Sequence, residues 1–129
     1  MQFIHFTEGA GDPLWGSGSR NVWFVPLAQS DEGTHVSCLH LAKGAMLNSL
    51  SLPSESAVLV IQGRASIFTD HSRLDCSGGV GAMLKAHERL RIESEEGAIV
   101  RLIECRGLEA TDIAISTPQR IAGQTWPGA

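Results

Sequence analysis

The side chains of this sequence that could do chemistry are few and scattered. Cys38 and His40 stand two positions apart, so on an extended strand they share one face. If that face looks inward, a thiol beside an imidazole is a nucleophile with its base, or a pair of metal donors. The plainer reading is packing, because a buried Cys behaves as a small hydrophobe and a strand His is usually a hydrogen-bonded ring. His35, at odd spacing from His40, is expected on the opposite face. Asp70-His71-Ser72 looks suggestive but is made of turn formers, and it reads as a hairpin tip. His87 and Glu88 offer further donors, yet they suit an exposed loop after Lys85.

Other chemistries find no support. The three cysteines, Cys38, Cys76 and Cys105, never form a C-x-x-C pair, so free thiols in a reducing cytoplasm are expected. Gly78-Gly79-Val80-Gly81 is not followed by a helical segment whose first amides would hold a phosphate. No catalytic residue is assigned on these grounds.

The elements that must position these residues are strands. From Asn21 onward, short runs rich in Val, Ile, Leu and Phe alternate with Gly, Ser, Asp and Glu clusters. The runs are Val22–Leu27, His35–Leu41, Ala45–Leu52, Ala57–Ile61, Ala65–Thr69, Val80–Leu84, Arg89–Glu93, Ala98–Glu104 and Asp112–Ile115. Such spacing predicts a sandwich or barrel. In Arg89-Leu90-Arg91-Ile92-Glu93 the apolar side chains share one face and the charges the other, whereas Val58-Leu59-Val60-Ile61 is apolar on both and predicts cover on both sides. Gln62-Gly63 and Glu95-Glu96-Gly97 are read as strand reversals, with Gly supplying positive φ. Residues 1–20 are read as an N-terminal arm or loop, 21–115 as a barrel and 116–129 as a tail that is either disordered or, the favoured reading, anchored through Trp126, all within one domain.

Composition narrows the function classes. With 129 residues, 43% hydrophobic and 19% charged, the chain fits a single globular core. Its net charge is −4 and its ten Lys and Arg are scattered, so no basic stripe exists for a nucleic-acid backbone. Arg89, Arg91 and Arg101 are interleaved with Glu88, Glu93, Glu95, Glu96 and Glu104 and are expected to pair with them on a solvated face. The first residues lack the pattern of a signal peptide, and no apolar run reaches membrane-spanning length.

Two glycine-punctuated segments, Gly44 to Gly63 and Gly79 to Ser94, together resemble the cupin superfamily. Its first motif, G-x5-H-x-H-x3-E-x6-G, aligns without a gap when Gly44 and Gly63 take the outer glycines. The two histidines then fall at Leu50 and Leu52 and the glutamate at Ser56, with Glu55 one position off. The second motif, G-x5-P-x-G-x2-H-x3-N, starts at Gly79 and places Lys85 at the proline, His87 at the glycine, Leu90 at the histidine and Ser94 at the asparagine. The likeness spans 22–115. It implies an all-β fold, a double-stranded β-helix or jelly-roll barrel.

The family's four metal-ligand positions are substituted, and leucine offers no lone pair. The substitutions are coherent, since buried His and Glu without a metal would be costly whereas each buried leucine stabilises by roughly 1.5–3 kcal/mol. The resemblance therefore implies a barrel with no metal and no cofactor, holding a small apolar or weakly polar ligand among Leu50, Leu52, Ser56, Leu90, Cys38 and His40. Sugar epimerases of this kind that work without metal use a tyrosine acid, and this chain has no tyrosine. The alternatives are a metal-dependent dioxygenase or isomerase using Cys38, His40 and His87, or an interaction module with a vestigial pocket. By resemblance a homodimer is expected, anchored by Trp15, Trp23 or Trp126.

Overall fold

The computed structural model describes residues 1–14 and 18–115. After a short 3-10 turn at Glu8–Ala10 come eight strands: β1 (Asp12–Pro13), β2 (Arg20–Gln29), β3 (His35–Ser51), β4 (Ser56–Phe68), β5 (Arg73–Ser77), β6 (Val80–Leu84), β7 (Arg89–Ser94) and β8 (Ala98–Glu104). Every pairing is antiparallel. The jelly roll arises because β3 and β4 are long enough to serve two sheets. Residues 35–41 of β3 and 56–63 of β4 flank β8, and this first sheet is completed by β2 and β6. Residues 45–51 of β3 and 66–68 of β4 flank β7 instead, and β5 closes the second sheet.

Glycines make the turn from one sheet to the other. Gly44 and Gly63 have φ of +74° and +83°, in the left-handed region where a Cβ is penalised. A Cβ on Gly63 would run into the Gly97 carbonyl oxygen and stand 2.9 Å from the Ala98 Cα. Buried Ser94 stitches this corner: its hydroxyl donates to the Arg64 carbonyl (2.6 Å) and accepts from the Gly97 amide (2.9 Å), while the Gly44 amide reaches the Glu95 carbonyl at 3.1 Å.

The core lies between the sheets. Val22, Leu39 and Leu41, Val58 and Val60, Ile67, Leu90 and Ile92, and Val100 and Leu102 form its body. Period-two alternation selects these residues, and their burial drives sheet closure.

Several expectations need correction. The four runs read across Gly44 and Gly63 are two continuous strands, because each glycine sits at a bend where the strand changes partners rather than at a reversal. Glu95-Glu96-Gly97 joins β7 to β8, which do not pair with each other, so it is a crossing between sheets and not a hairpin. Arg73–Ser77 is a strand that the sequence reading left out, and Asp112–Ile115 forms turns. The charge pairing fails as well: among the described residues the ion pair is Arg73–Asp75, while Arg91 lies 4.2 Å from the Phe68 ring centroid and Arg101 lies 5.8 Å from that of Phe6. Asp70-His71-Ser72 does form a hairpin tip, with the Thr69 amide on the Ser72 carbonyl at 2.9 Å. Trp15 and Trp126 lie outside the described residues.

Candidate functional site

The barrel has one end closed by its glycine corner and one open end, where β3 begins, β8 ends and residues 52–55 pass from the second sheet to the first. Register fixes what faces inward there. Unbroken pairing sets His35 opposite Glu104 and Glu104 opposite Ser56, and on the other side His35 pairs with Gln29. The same ladders carry Leu39 with Val100 and Val60, all in the core, so His35, Glu104 and Ser56 share the inward face by alternation, and the register shift between Pro26 and Ala28 brings Gln29 into the same row. Ser37, 2% exposed, stands one step deeper.

A cleft of about 470 Å³ opens on this row. Phe24, Pro26 and Leu27 supply its apolar wall, and Gln29, His35, Ser37 and Glu104 its polar groups. An imidazole, a carboxylate, an amide and a hydroxyl can together accept and donate hydrogen bonds, which suits a small polar molecule with an apolar part. Ser56, at 1% exposure, keeps a hydroxyl oxygen with no hydrogen-bond partner at the far end of the same row. A larger cleft of about 500 Å³ lies by Arg64, Ser66, Arg73, Asp75 and Glu93 on the second sheet. Its central groups already satisfy one another, since Asp75 accepts from the Ser66 hydroxyl at 2.7 Å and from Arg73 Nε at 3.0 Å. These two bonds hold the Asp75 carboxyl below its ordinary range.

The residues singled out from sequence divide into two groups. Leu50 pairs directly with Leu90 across β3 and β7; Leu90 is fully buried, and Leu50 and Leu52 are half-buried against the core. His87 stands at φ +65°, at the position where the resemblance puts a glycine, which supports the register that places Leu90 at the histidine. Three leucines and a serine do not make a donor set, so the metal that the fold suggests does not fit here. Among the described residues no group of three or more His, Cys, Asp or Glu side chains could hold a metal ion.

Cys38 and His40 lie elsewhere. They share a face, but alternation sends Leu39 and Leu41 into the core and turns Cys38 and His40 to the outside of the first sheet. The grouping of these two with Leu50, Leu52, Ser56 and Leu90 in one site is therefore corrected, and His87, exposed in the loop after Lys85, joins neither. His35 does face away from His40. The sequence reading passed over Gln29, Ser37 and Glu104 as site residues; the signal available was that Gln29 and Glu104 end strands, and that Ser37 stands two before Leu39, whose alternate residues are core aliphatics.

No protein-family model and no curated protein sequence matches the chain. Solved structures do. A cupin superfamily protein from Desulfitobacterium hafniense superposes with a TM-score of 0.62 at 23% identity over 71% of this chain and 84% of that one. A cupin-like protein from Thermotoga maritima gives 0.67 at 15% identity over 81% and 83%. An RmlC-like cupin from Shewanella frigidimarina gives 0.61 at 14% over 75% and 92%. At these identities the likeness establishes the fold, a cupin-type jelly-roll barrel, and leaves function to the site.

Proposed function

We propose that this chain is a small-molecule-binding domain of the cupin fold whose ligand sits at the mouth of the barrel, on Gln29, His35, Ser37 and Glu104, rather than at its centre. The supporting observation is the polar row over an apolar wall in the cleft of about 470 Å³. The centre is lined by the fully buried aliphatic side chains of Leu90, Ile92, Val58 and Val100, which offer no hydrogen-bonding group. Leu50, Leu52 and Leu90 act as the packed floor that keeps the interior dry, and Ser37 provides the innermost hydroxyl of the cleft. The ligand is uncharged or weakly polar, with at least one hydrogen-bond donor for Glu104 and one acceptor for His35.

Amide chemical shifts recorded during titration with small alcohols and amides test this reading. Binders are expected to move residues 24–29, 34–37 and 102–105 and to lose their effect in Glu104→Gln. Shifts confined to the second sheet would remove it.

A homodimer is the second part of the proposal, and the outer face of the first sheet supports it. Ile61 and Met83 are exposed there, on β4 and β6, beside half-buried Leu59. Trp23 lies on this face too, but on β2 opposite His40 in register, away from the β4–β6 end that a second copy would cover. A second copy would cover the side of Val58-Leu59-Val60-Ile61 that this chain leaves open. Light scattering over a dilution series is expected to give twice the chain mass, and Ile61→Lys to give a monomer.

A further inference from the structure

Cys38 does not stand alone on the outer face. Its sulfur is 3.6 Å from His40 Nε2, and Arg101 is its register partner on β8. Arg101 Nε is buried without a hydrogen-bond partner. Burial holds the Cys38 thiol above its ordinary value, and the Arg101 charge offsets only part of that rise. Over this group lies the N-terminal arm. The Phe6 carbonyl oxygen is 2.6 Å from His40 Nε2, and the Phe6 ring lies 5.8 Å from the Arg101 guanidinium.

A carbonyl oxygen only accepts, so His40 Nε2 must carry the proton in that bond. An Nε2 that donates to Phe6 has no lone pair for the Cys38 proton. The arm thus blocks the base beside a sulfur that is itself fully buried. Its hold is slight, because residues 1–9 are all exposed.

We propose that Cys38, His40 and Arg101 form a thiol-modification site for small anionic carbon electrophiles, held silent by Phe6 of the N-terminal arm. When the arm lifts, His40 takes the other tautomer and Nε2 accepts the thiol proton. The Cys38 sulfur then forms a bond to the electrophilic carbon as the bond to the leaving group breaks, and the leaving group departs with its electron pair. Arg101 attracts the anionic reagent and stabilises the thiolate.

The chain supplies its own references, since Cys76 is buried in the core and Cys105 is half-buried outside it. Full-length protein is labelled with iodoacetate and with iodoacetamide, iodide being the leaving group, and each cysteine is followed by peptide mass spectrometry. Cys38 is expected to react about tenfold more slowly than Cys105 in the unaltered chain, and about tenfold faster than before in Phe6→Gly, with Cys76 still unlabelled. In that background the preference for iodoacetate is expected to be higher at Cys38 than at Cys105, to vanish with Arg101→Gln, and the rate with both reagents to fall with His40→Ala. If Phe6→Gly exposes Cys76, the milder Phe6→Ala is measured instead. An unchanged Cys38 rate overturns the proposal, and so does a rise that persists with His40→Ala and Arg101→Gln, which would mean exposure alone.

Discussion

The two ends of the barrel are built from the same strands and differ in what they can hold. At the closed end, Gly63 and Gly97 bring two backbones so near that no Cβ fits on Gly63, and the buried hydroxyl of Ser94 is consumed by backbone hydrogen bonds. At the open end the same ladders finish in Gln29, His35, Glu104 and Ser56, with a cleft over most of them. Chemistry is available only where the backbone has satisfied itself and the side chains still have room. The contrast gives the corner to stability and leaves the mouth as the place of the proposed binding site.

That assignment is open to direct attack. Gly63→Ala strikes the corner hardest: a Cβ against the Gly97 carbonyl and a left-handed φ together imply a loss of about 3 kcal/mol or more, read from denaturant midpoints. A loss under about 1 kcal/mol would show that the corner can yield. Ser56→Ala acts at the mouth in the opposite direction. Removing a buried hydroxyl with no partner is expected to stabilise the fold by about 1 kcal/mol, and a net loss would mean that the hydroxyl has a role in the free protein.

His87→Gly relieves a left-handed residue at the mouth-side loop. After the extra chain entropy of glycine is deducted, a gain of about 0.5 kcal/mol is expected in the same assay. Glu104→Gln sharpens the comparison by separating its two sides: stability should stay within about 0.5 kcal/mol while binding at the mouth is lost. The smallest effect belongs to neither end. Because the Asp75 carboxyl titrates below its ordinary range, its contribution is present above the unfolded-state value and fades as pH falls through the lowered one. Acid-unfolding curves of the unaltered chain and Asp75→Asn should therefore differ near neutrality and converge in strong acid.

Much of the fold was legible. Leu90 and Ile92 facing one way and Arg89 and Arg91 the other follow from alternation alone, and fully buried Leu90 and Ile92 agree. The glycine spacing also pointed to the right barrel, since Gly44 and Gly63 are the hinge points of β3 and β4. What misled was local inference about direction. A glycine at positive φ serves a hairpin and a bend between sheets equally well, so Gln62-Gly63 could not reveal that the strand continues.

Sequence by itself determined that the chain is built of strands, though not every strand, that Leu50, Leu52 and Leu90 put aliphatic side chains where donors would stand, and that Cys38 and His40 share a face. These are properties of period two and side-chain type, which need no knowledge of what lies across the sheet. Only the tertiary structure decided which face was inside, and with it that Cys38 and His40 look outward beneath Phe6 while His35, Glu104 and Ser56 meet at the mouth. Those residues are distant along the chain and are joined by cross-strand register, which long-range pairing sets and no local pattern encodes.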